Sequence, residues 1–312
     1  MDLKKVLVIT GPTATGKTAL SVALAKRLNG EVISADSMQL YRGMDIGTAK
    51  ATEAERQGVP HHLLDAADPA ESWSVSRWVD AAAAAAEDIF ARGRVPILAG
   101  GTNLYIDSLL SGRDFAENSG DGALRAALNA QYDALGGEAF RRELAAVDPE
   151  RAAKLHPSDK KRLVRALEVY RLTGETITAH DERTKALPPR WDSLRVALSY
   201  RSREDLYARI DARVDEMLSA GLLDEVRALL DAGLSPDCTA MQAIGYKEIV
   251  EFLHGNCTAA EAAQAVKLNS RRYAKRQLTW LRRDPELHWI LWDAFPDLNA
   301  AADRVCALFG GK

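Results

Sequence analysis

Cysteine is scarce in this chain: Cys238, Cys257 and Cys306 are the only three, and they lie far apart. An odd, scattered set builds neither a disulfide framework nor a zinc knuckle, and it points to a reducing compartment, the cytoplasm. Also missing is any apolar run of membrane-spanning length, and the opening residues predict no signal peptide. Nor is one sign of charge in large excess, because 41 Lys and Arg stand against 44 Asp and Glu for a net of −3. The whole-chain balance gives no hint of nucleic acid, so such a partner would have to bind a local basic surface. What remains is a globular composition, 47% hydrophobic and 27% charged, over 312 residues. That length suits one large domain or two.

The strongest local pattern is Gly11-Pro12-Thr13-Ala14-Thr15-Gly16-Lys17-Thr18. An apolar run, Val6-Leu7-Val8-Ile9, precedes it and reads as a buried strand; Ala19 to Leu28 follows and reads as a helix. Strand, glycine loop, Gly-Lys-Thr and helix form the context of a phosphate-binding loop. Glycine lets backbone N–H groups close on phosphate oxygens, and the helix N-terminus adds partial positive charge. Lys17 supplies a full charge, and Thr18 offers a hydroxyl to Mg²⁺. A plain glycine turn is the alternative, and spacing, Lys-Thr and context all oppose it.

Asn29-Gly30 predicts the helix stop, and Glu31 to Ser34 a second strand. Asp36 then falls at the carboxyl edge of an open sheet, beside the phosphate loop. A carboxylate there can hold Mg²⁺ through water, take a proton from a nucleophile, or cap a helix. Arg42 to Lys50 reads as a glycine-punctuated surface segment crossing the edge of the site. His61-His62-Leu63-Leu64-Asp65 invites a metal reading, but adjacent histidines point apart and no further ligand cluster follows. The plain reading is a strand end with a packing histidine.

Ser74 to Arg92 predicts a helix around the run Ala81 to Ala86, and Val95 to Ala99 a third buried strand. Gly100-Gly101-Thr102 follows, where an NTP-hydrolysing protein usually has an Asp for Mg²⁺. The glycines allow close backbone approach, and Thr102 offers a neutral hydrogen bond. Ser111 to Gly122 reads as a linker. From Ala123 to about Arg183 the pattern is helical, with a helix opening at Pro157 and a basic cluster of Lys160, Lys161, Arg162 and Arg165. Pro188-Pro189 closes this segment, and Leu194 to Tyr200 returns to strand.

Arg209 and Arg213 share one face of the next helix and could clamp a phosphate, or pair with Asp205 and Glu216 on a solvated face. Met241 to Glu248 opens another helical stretch. Thr258 to Trp280 predicts a long helix with Arg272, Lys275 and Arg276 on one side, interleaved with aromatics, as phosphate-backbone and base contacts require. A solvated basic face would look the same. A last strand covers Glu286 to Trp292, and a helix ends the chain.

Six blocks together resemble the bacterial tRNA dimethylallyltransferases, also called tRNA isopentenyltransferases. They are Gly11 to Thr18, Asp36 to Lys50, His61 to Asp65, Gly100 to Tyr105, Gln242 to Glu248, and Lys275-Arg276-Gln277-Leu278-Thr279-Trp280-Leu281-Arg282. The first is widespread; the Asp-Ser-Met-Gln and Lys-Arg-Gln-Leu-Thr-Trp-Leu-Arg blocks are specific, and the blocks run from one end of the chain to the other, so the resemblance covers nearly all of it. The resemblance implies an α/β, P-loop NTPase-like parallel sheet flanked by helices, with an all-helical insertion domain. The expected divisions are 1–115 for the first part of the core, 116–190 for an insertion binding the tRNA anticodon stem-loop, and 191–312 for the rest.

The implied reaction moves a dimethylallyl group from dimethylallyl diphosphate to N6 of adenosine 37 of tRNA. Asp36 would be the general base, with Lys17, Mg²⁺ on Thr18, Thr102 and Arg209 or Arg213 on the diphosphate. Ser37, Met38 and Gln39 would read the base. Gln242, Gly245, Tyr246, Lys247 and the two basic clusters would hold the RNA, and a monomer is expected. The alternatives are a P-loop kinase with ATP in the loop and a non-catalytic P-loop RNA-binding protein.

Overall fold

The computed structural model describes residues 3–112, 122–294 and 297–311. The chain divides into two compact units, Met1–Leu110 with Trp191–Lys312, and Ser111–Arg190. Residues 113–121, which hold most of the expected linker and the 115/116 division, lie outside the described residues.

The first unit is built on six parallel strands: β1 (Lys5–Thr10), β2 (Gly30–Ser34), β3 (His61–His62), β4 (Val95–Ala99), β5 (Asp192–Ser199) and β6 (His288–Leu291). Their order is β3-β2-β4-β1-β5-β6. β1 sits at the centre, with Ile9 opposite Ala99 of β4 and Val196 of β5. Its near-continuous apolar run is that of a parallel strand covered on both faces. Leu7, Ile9, Leu24, Ile97 and Val196 pack into one buried cluster. Asn29 caps the helix Lys17–Leu28 in a left-handed conformation, where the sequence stops it. Among the described residues no helix is long and apolar enough to cross a membrane.

Strand order positions the site. β4 stands between β1 and β2, so the loops after these three strands lie side by side at the carboxyl edge. They carry the phosphate loop, Gly100-Gly101-Thr102 and Asp36 respectively. The fit there leaves no room for side chains. A Cβ on Gly100 would stand 2.1 Å from the carbonyl oxygen of Ala35. Gly100→Ala is expected to cost about 1–3 kcal/mol of folding stability, measured from the denaturant midpoint. An unchanged midpoint would mean that the two loops can separate.

Two helix starts fall later than the sequence suggests. The helix expected at Pro157 begins at Lys160. The Asp159 N–H closes a turn on the His156 carbonyl at 2.9 Å, and the Pro157 carbonyl accepts from the Tyr132 hydroxyl at 2.6 Å. Those bonds, more than the fixed φ of proline, set where the helix starts. The stretch from Met241 is a series of turns, and its helix is Tyr246–Leu253. Gly245, with φ of +99°, marks the entry.

The second unit holds the helices Gly122–Leu135, Gly137–Val147, Pro149–Lys154, Lys160–Thr173 and Ile177–Lys185, with no strand among the described residues. Leu128, Phe140, Leu144, Leu163 and Leu167 form its core. Glu168 is buried in it. Burial works to raise its pKa, but Arg125 at 2.9 Å and Arg165 at 2.8 Å outweigh that and hold it low.

Candidate active site

The phosphate loop is built by backbone conformations that its glycines permit. Gly11 has φ of +135° and Gly16 +77°, both in the region glycine favours. A Cβ on Gly11 would meet the Leu198 carbonyl oxygen at 2.5 Å. The Thr15 hydroxyl donates to the Pro12 carbonyl at 2.9 Å, and the Trp292 indole N–H donates to the Thr15 carbonyl at 2.8 Å. The helix that follows has no side-chain cap and no acidic residue in its first turn. Its positive end is left open toward an anion.

Two cations face this loop. Lys17 Nζ donates to the carbonyls of Gly11 at 3.1 Å and Pro12 at 2.8 Å. Burial, with Arg213 nearby, lowers its pKa to about 8, while Asp36 opposes the shift. Burial also lowers Arg213, opposed by Asp36, Glu55 and Glu216. Among the described residues neither cation makes an ion pair. Arg209 is exposed and lines a separate opening beside Glu55 and Glu216. Packing of Ile210 and Val214 into the core turns the helix so that Arg213 is the arginine beside Lys17 and Asp36.

Two cavities adjoin here. The narrower, about 120 Å³, is lined by the phosphate loop, Thr18, Gly100, Gly101 and Gln39. The wider, about 360 Å³, is lined by Ser37, Met38, Ile210, Met217, Ile244 and Val266, with Gln242, Lys247 and Arg276 also on its wall. Thr13, Asp36, Thr48, Arg213 and Tyr273 line both. Asp36 is therefore at the junction of a polyphosphate-sized slot and a partly apolar mouth. No helix follows it, so it caps a turn: Oδ1 accepts the N–H groups of Met38 at 2.9 Å and Gln39 at 3.3 Å. Among the described residues Oδ2 accepts no hydrogen bond.

Thr102 lines neither cavity. Its hydroxyl oxygen accepts the Ser37 N–H at 3.1 Å, so it supports the Asp36 loop. Gln39 is a brace as well. Its amide donates to the carbonyls of Thr48 and Ala49 at 3.2 and 3.3 Å, and accepts from the Ser34 hydroxyl at 3.2 Å. Tyr273 was not singled out by sequence reasoning, yet it lines both cavities. Burial pushes its hydroxyl up to about 12, with Asp36 adding to the shift and hydrogen bonds to Thr102 and Gln277 opposing it.

The segment expected on the surface, Arg42 to Lys50, is anchored inward. Met44 is fully buried, and buried Lys50 donates to the Tyr41 carbonyl at 2.7 Å and to Asp45 and Asp65 at 2.7 and 2.5 Å. An inward-turned lysine satisfied by the loop's own oxygens closes the loop on itself. Glu225 holds it from outside. Its carboxylate accepts the N–H groups of Asp45, Ile46 and Gly47 at 2.9, 2.7 and 3.1 Å, and the Tyr246 hydroxyl at 2.5 Å. Tyr246, expected at the RNA, is fully buried and serves this bond. Gly245 shapes the turn before it, its N–H donating to Glu248 at 2.7 Å. Glu225→Gln places an NH₂ against backbone donors, and is expected to cost about 1–3 kcal/mol in a urea melt. No change would mean that the loop is held elsewhere.

The histidine pair disperses. His61 Nδ1 bonds the Val59 carbonyl at 2.9 Å and the ring lines the narrow cavity, its pKa lowered by burial. His62 bonds Glu31 at 2.7 Å. Burial would raise Glu31, but hydrogen bonds from Arg92, His62 and Arg94 outweigh it and hold the carboxyl at about 2. Among the described residues no group of three or more His, Cys, Asp or Glu could hold a metal ion.

The two basic clusters differ. In the second unit Lys160 pairs with Asp133 at 2.6 Å, Arg162 with Asp159 at 3.3 Å and Arg165 with Glu168 at 2.8 Å. Lys161 is exposed and has no ion pair among the described residues. In the first unit Arg272, Lys275 and Arg276 are all exposed on the helix Ala259–Leu281, and none has an acidic partner among the described residues. Arg276 stands over the Tyr273 ring at 5.6 Å.

Comparison with known proteins bears on this site. The chain matches the IPP transferase family over residues 39–284 and the isopentenyl transferase family over residues 4–71. It is 47% identical over 307 residues to tRNA dimethylallyltransferase 1 of Pelobacter propionicus, covering 98% of each protein. It is 47% identical over 310 residues to the tRNA dimethylallyltransferase of Geobacillus kaustophilus, covering 99% of this chain and 97% of the relative. Among solved structures it is similar to the tRNA isopentenylpyrophosphate transferase of Bacillus halodurans. The TM-score is 0.74 and the identity 44%, over 99% of this chain and 96% of the other. It is also similar to a eukaryotic dimethylallyltransferase acting on tRNA, at a TM-score of 0.81 and 32% identity, over 97% of this chain and 78% of the other.

Proposed function

The chain belongs to the IPP transferase family, and from that premise we propose how its own residues work as a tRNA dimethylallyltransferase. The enzyme transfers a dimethylallyl group to tRNA. Its donor is dimethylallyl diphosphate, and its acceptor is N6 of adenosine 37, beside the anticodon. One observation carries the reading: two cations that make no ion pair among the described residues, Lys17 and Arg213, face the Asp36 carboxylate across a shared cavity. The diphosphate lies on the phosphate loop against Lys17 and Arg213. The flipped adenine enters by the wider cavity past Ser37 and Met38.

N6 is a weak nucleophile, because its lone pair is delocalised into the ring. As it bonds to C1 of the donor, the C1–O bond breaks and the diphosphate leaves with the electron pair. Lys17, Arg213 and the open helix terminus stabilise the charge that grows there. Oδ2 of Asp36 takes the N6 proton. The Thr18 hydroxyl, on the wall of the narrow cavity, would hold a Mg²⁺, and such an ion would add positive charge at the leaving group. Arg272, Lys275 and Arg276 grip RNA phosphates, with help from Lys161. A monomer is the proposed working unit, and three free cysteines suit the cytoplasm.

The test is incubation with unmodified tRNA and dimethylallyl diphosphate in Mg²⁺, followed by mass analysis of the nucleosides. An adenosine heavier by one prenyl unit is expected. Its absence, with ATP and not the diphosphate raising the melting temperature, would return the kinase reading.

A further inference from the structure

Gln277 lies in the helix Ala259–Leu281, is 4% exposed, and has both ends of its amide in use. Oε1 accepts the N–H of Thr13 at 3.1 Å, and Nε2 donates to the carbonyl oxygen of Gly101 at 2.9 Å. These two partners are backbone groups, one a donor and one an acceptor, and they fix a single orientation of the amide; the Tyr273 hydroxyl is a third hydrogen-bonding neighbour. The approach is close enough that a Cβ on Gly101 would stand 2.3 Å from Nε2.

Thr13 belongs to the phosphate loop. Gly101 begins the arc in which the Thr102 N–H donates to Ala35 at 3.1 Å and the Thr102 hydroxyl oxygen accepts from Ser37 at 3.1 Å. Ala35 and Ser37 flank Asp36. One buried amide thus joins the loop that holds the leaving group to the loop that carries the proton acceptor. We propose that Gln277 is a positioning residue that sets the spacing between the phosphate loop and Asp36.

The proposal rests on the transferase reading and predicts a specific kinetic signature. The Thr13 N–H is spent on Gln277, and Gln277 is a neutral side chain on the wall of the narrow cavity, so removing the amide leaves in place the charges assigned to the diphosphate, Lys17, Arg213 and the helix terminus. Donor binding should survive while the alignment of donor and acceptor is lost. A misplacement of about 1 Å can cost on the order of 10²-fold in rate.

Two variants test it. Gln277→Leu removes both backbone bonds and the contact with the Tyr273 hydroxyl. Gln277→Glu has the same shape and still accepts from Thr13, but donates to Gly101 only when protonated. Both are expected to lower kcat at neutral pH by about tenfold or more, with the dissociation constant of dimethylallyl diphosphate within about twofold of wild type. For Gln277→Glu, the ratio of its kcat to that of wild type should rise as the pH falls, because protonation restores the missing donor. Asp36, Lys17, His61, Arg213 and Tyr273 line the same cavity in both proteins, and their titration is shared by the two sides of the ratio.

The positioning role is overturned if both variants keep the wild-type kcat. It is overturned too if the loss is confined to donor affinity, or if the Gln277→Glu ratio stays flat on acidification. Wild-type protein assayed alongside separates the two claims. Transfer by wild type with a flat ratio removes only the role of Gln277, and no transfer by wild type removes the reading beneath it.

Discussion

Asp36→Asn is expected to slow transfer by about 10²–10⁴-fold, the usual worth of a general base. Asparagine is the informative substitution because Asp36 has two tasks. Its Oδ1 holds the turn through the N–H groups of Met38 and Gln39, and an asparagine oxygen can do the same. Only the capacity of Oδ2 to take a proton is removed. Affinity for dimethylallyl diphosphate should stay within about threefold, since losing the carboxylate relieves some repulsion of the donor while removing its support for the charge on Lys17, and the two effects oppose each other. Asp36→Ala removes both tasks, and should be the less stable of the two by about 1 kcal/mol. The rate comes from single-turnover transfer to tRNA, and the affinity from calorimetry without RNA. If Asp36→Asn turns over like wild type, the proton leaves by another route and Asp36 is only a turn cap.

Lys17→Met is expected to do the opposite, weakening donor binding by about 10–100-fold through loss of a charged hydrogen bond worth about 1.5–3 kcal/mol. The pH dependence sharpens the test. Burial and the neighbouring Arg213 place Lys17 at about 8 in the free protein. An anion binds the protonated form and raises that value, so binding is coupled to a proton. Below pH 8 the lysine is already charged and affinity is level in this respect. Above it, affinity should fall by up to about tenfold per pH unit, until the pKa of the complex is reached. In Lys17→Met this inflection should vanish and the remaining affinity should rest on Arg213 and the helix terminus. A donor affinity that is flat from pH 7 to about 9.5 in wild type would show that Lys17 does not carry the diphosphate charge.

Much of this protein can be read along the chain. The phosphate loop is contiguous, so its glycines, Lys17 and Thr18 announce their chemistry without reference to anything distant. The strands through Val6 to Ile9 and Val95 to Ala99 are apolar because both faces of a parallel sheet are covered, and the structure places them where that pattern puts them. Ser74 and Thr258 cap the helices that periodicity predicts. Asp36 was legible because it follows a strand at the ligand edge.

Other parts depended on which distant groups the fold brings together. Thr13 and Gln277 are 264 positions apart, and Gly47 and Glu225 are 178 apart. Nothing around a glutamine in a basic helix, or a glutamate in an amphipathic one, shows that its side chain will satisfy a loop's backbone. Arg209 and Arg213 share a helical face, and only the packing of Ile210 and Val214 settled which one looks into the site. Lys160 read as part of a free basic cluster until the fold set Asp133, 27 positions away, against it, whereas Arg162 with Asp159 and Arg165 with Glu168 are pairs three positions apart that helical spacing already offered. Local propensity and motif chemistry act over a few residues, so sequence alone determined most of the elements and pointed to a kind of ligand. A buried polar or charged atom takes whatever partner tertiary packing supplies, and that choice leaves no mark at either residue until the chain has folded.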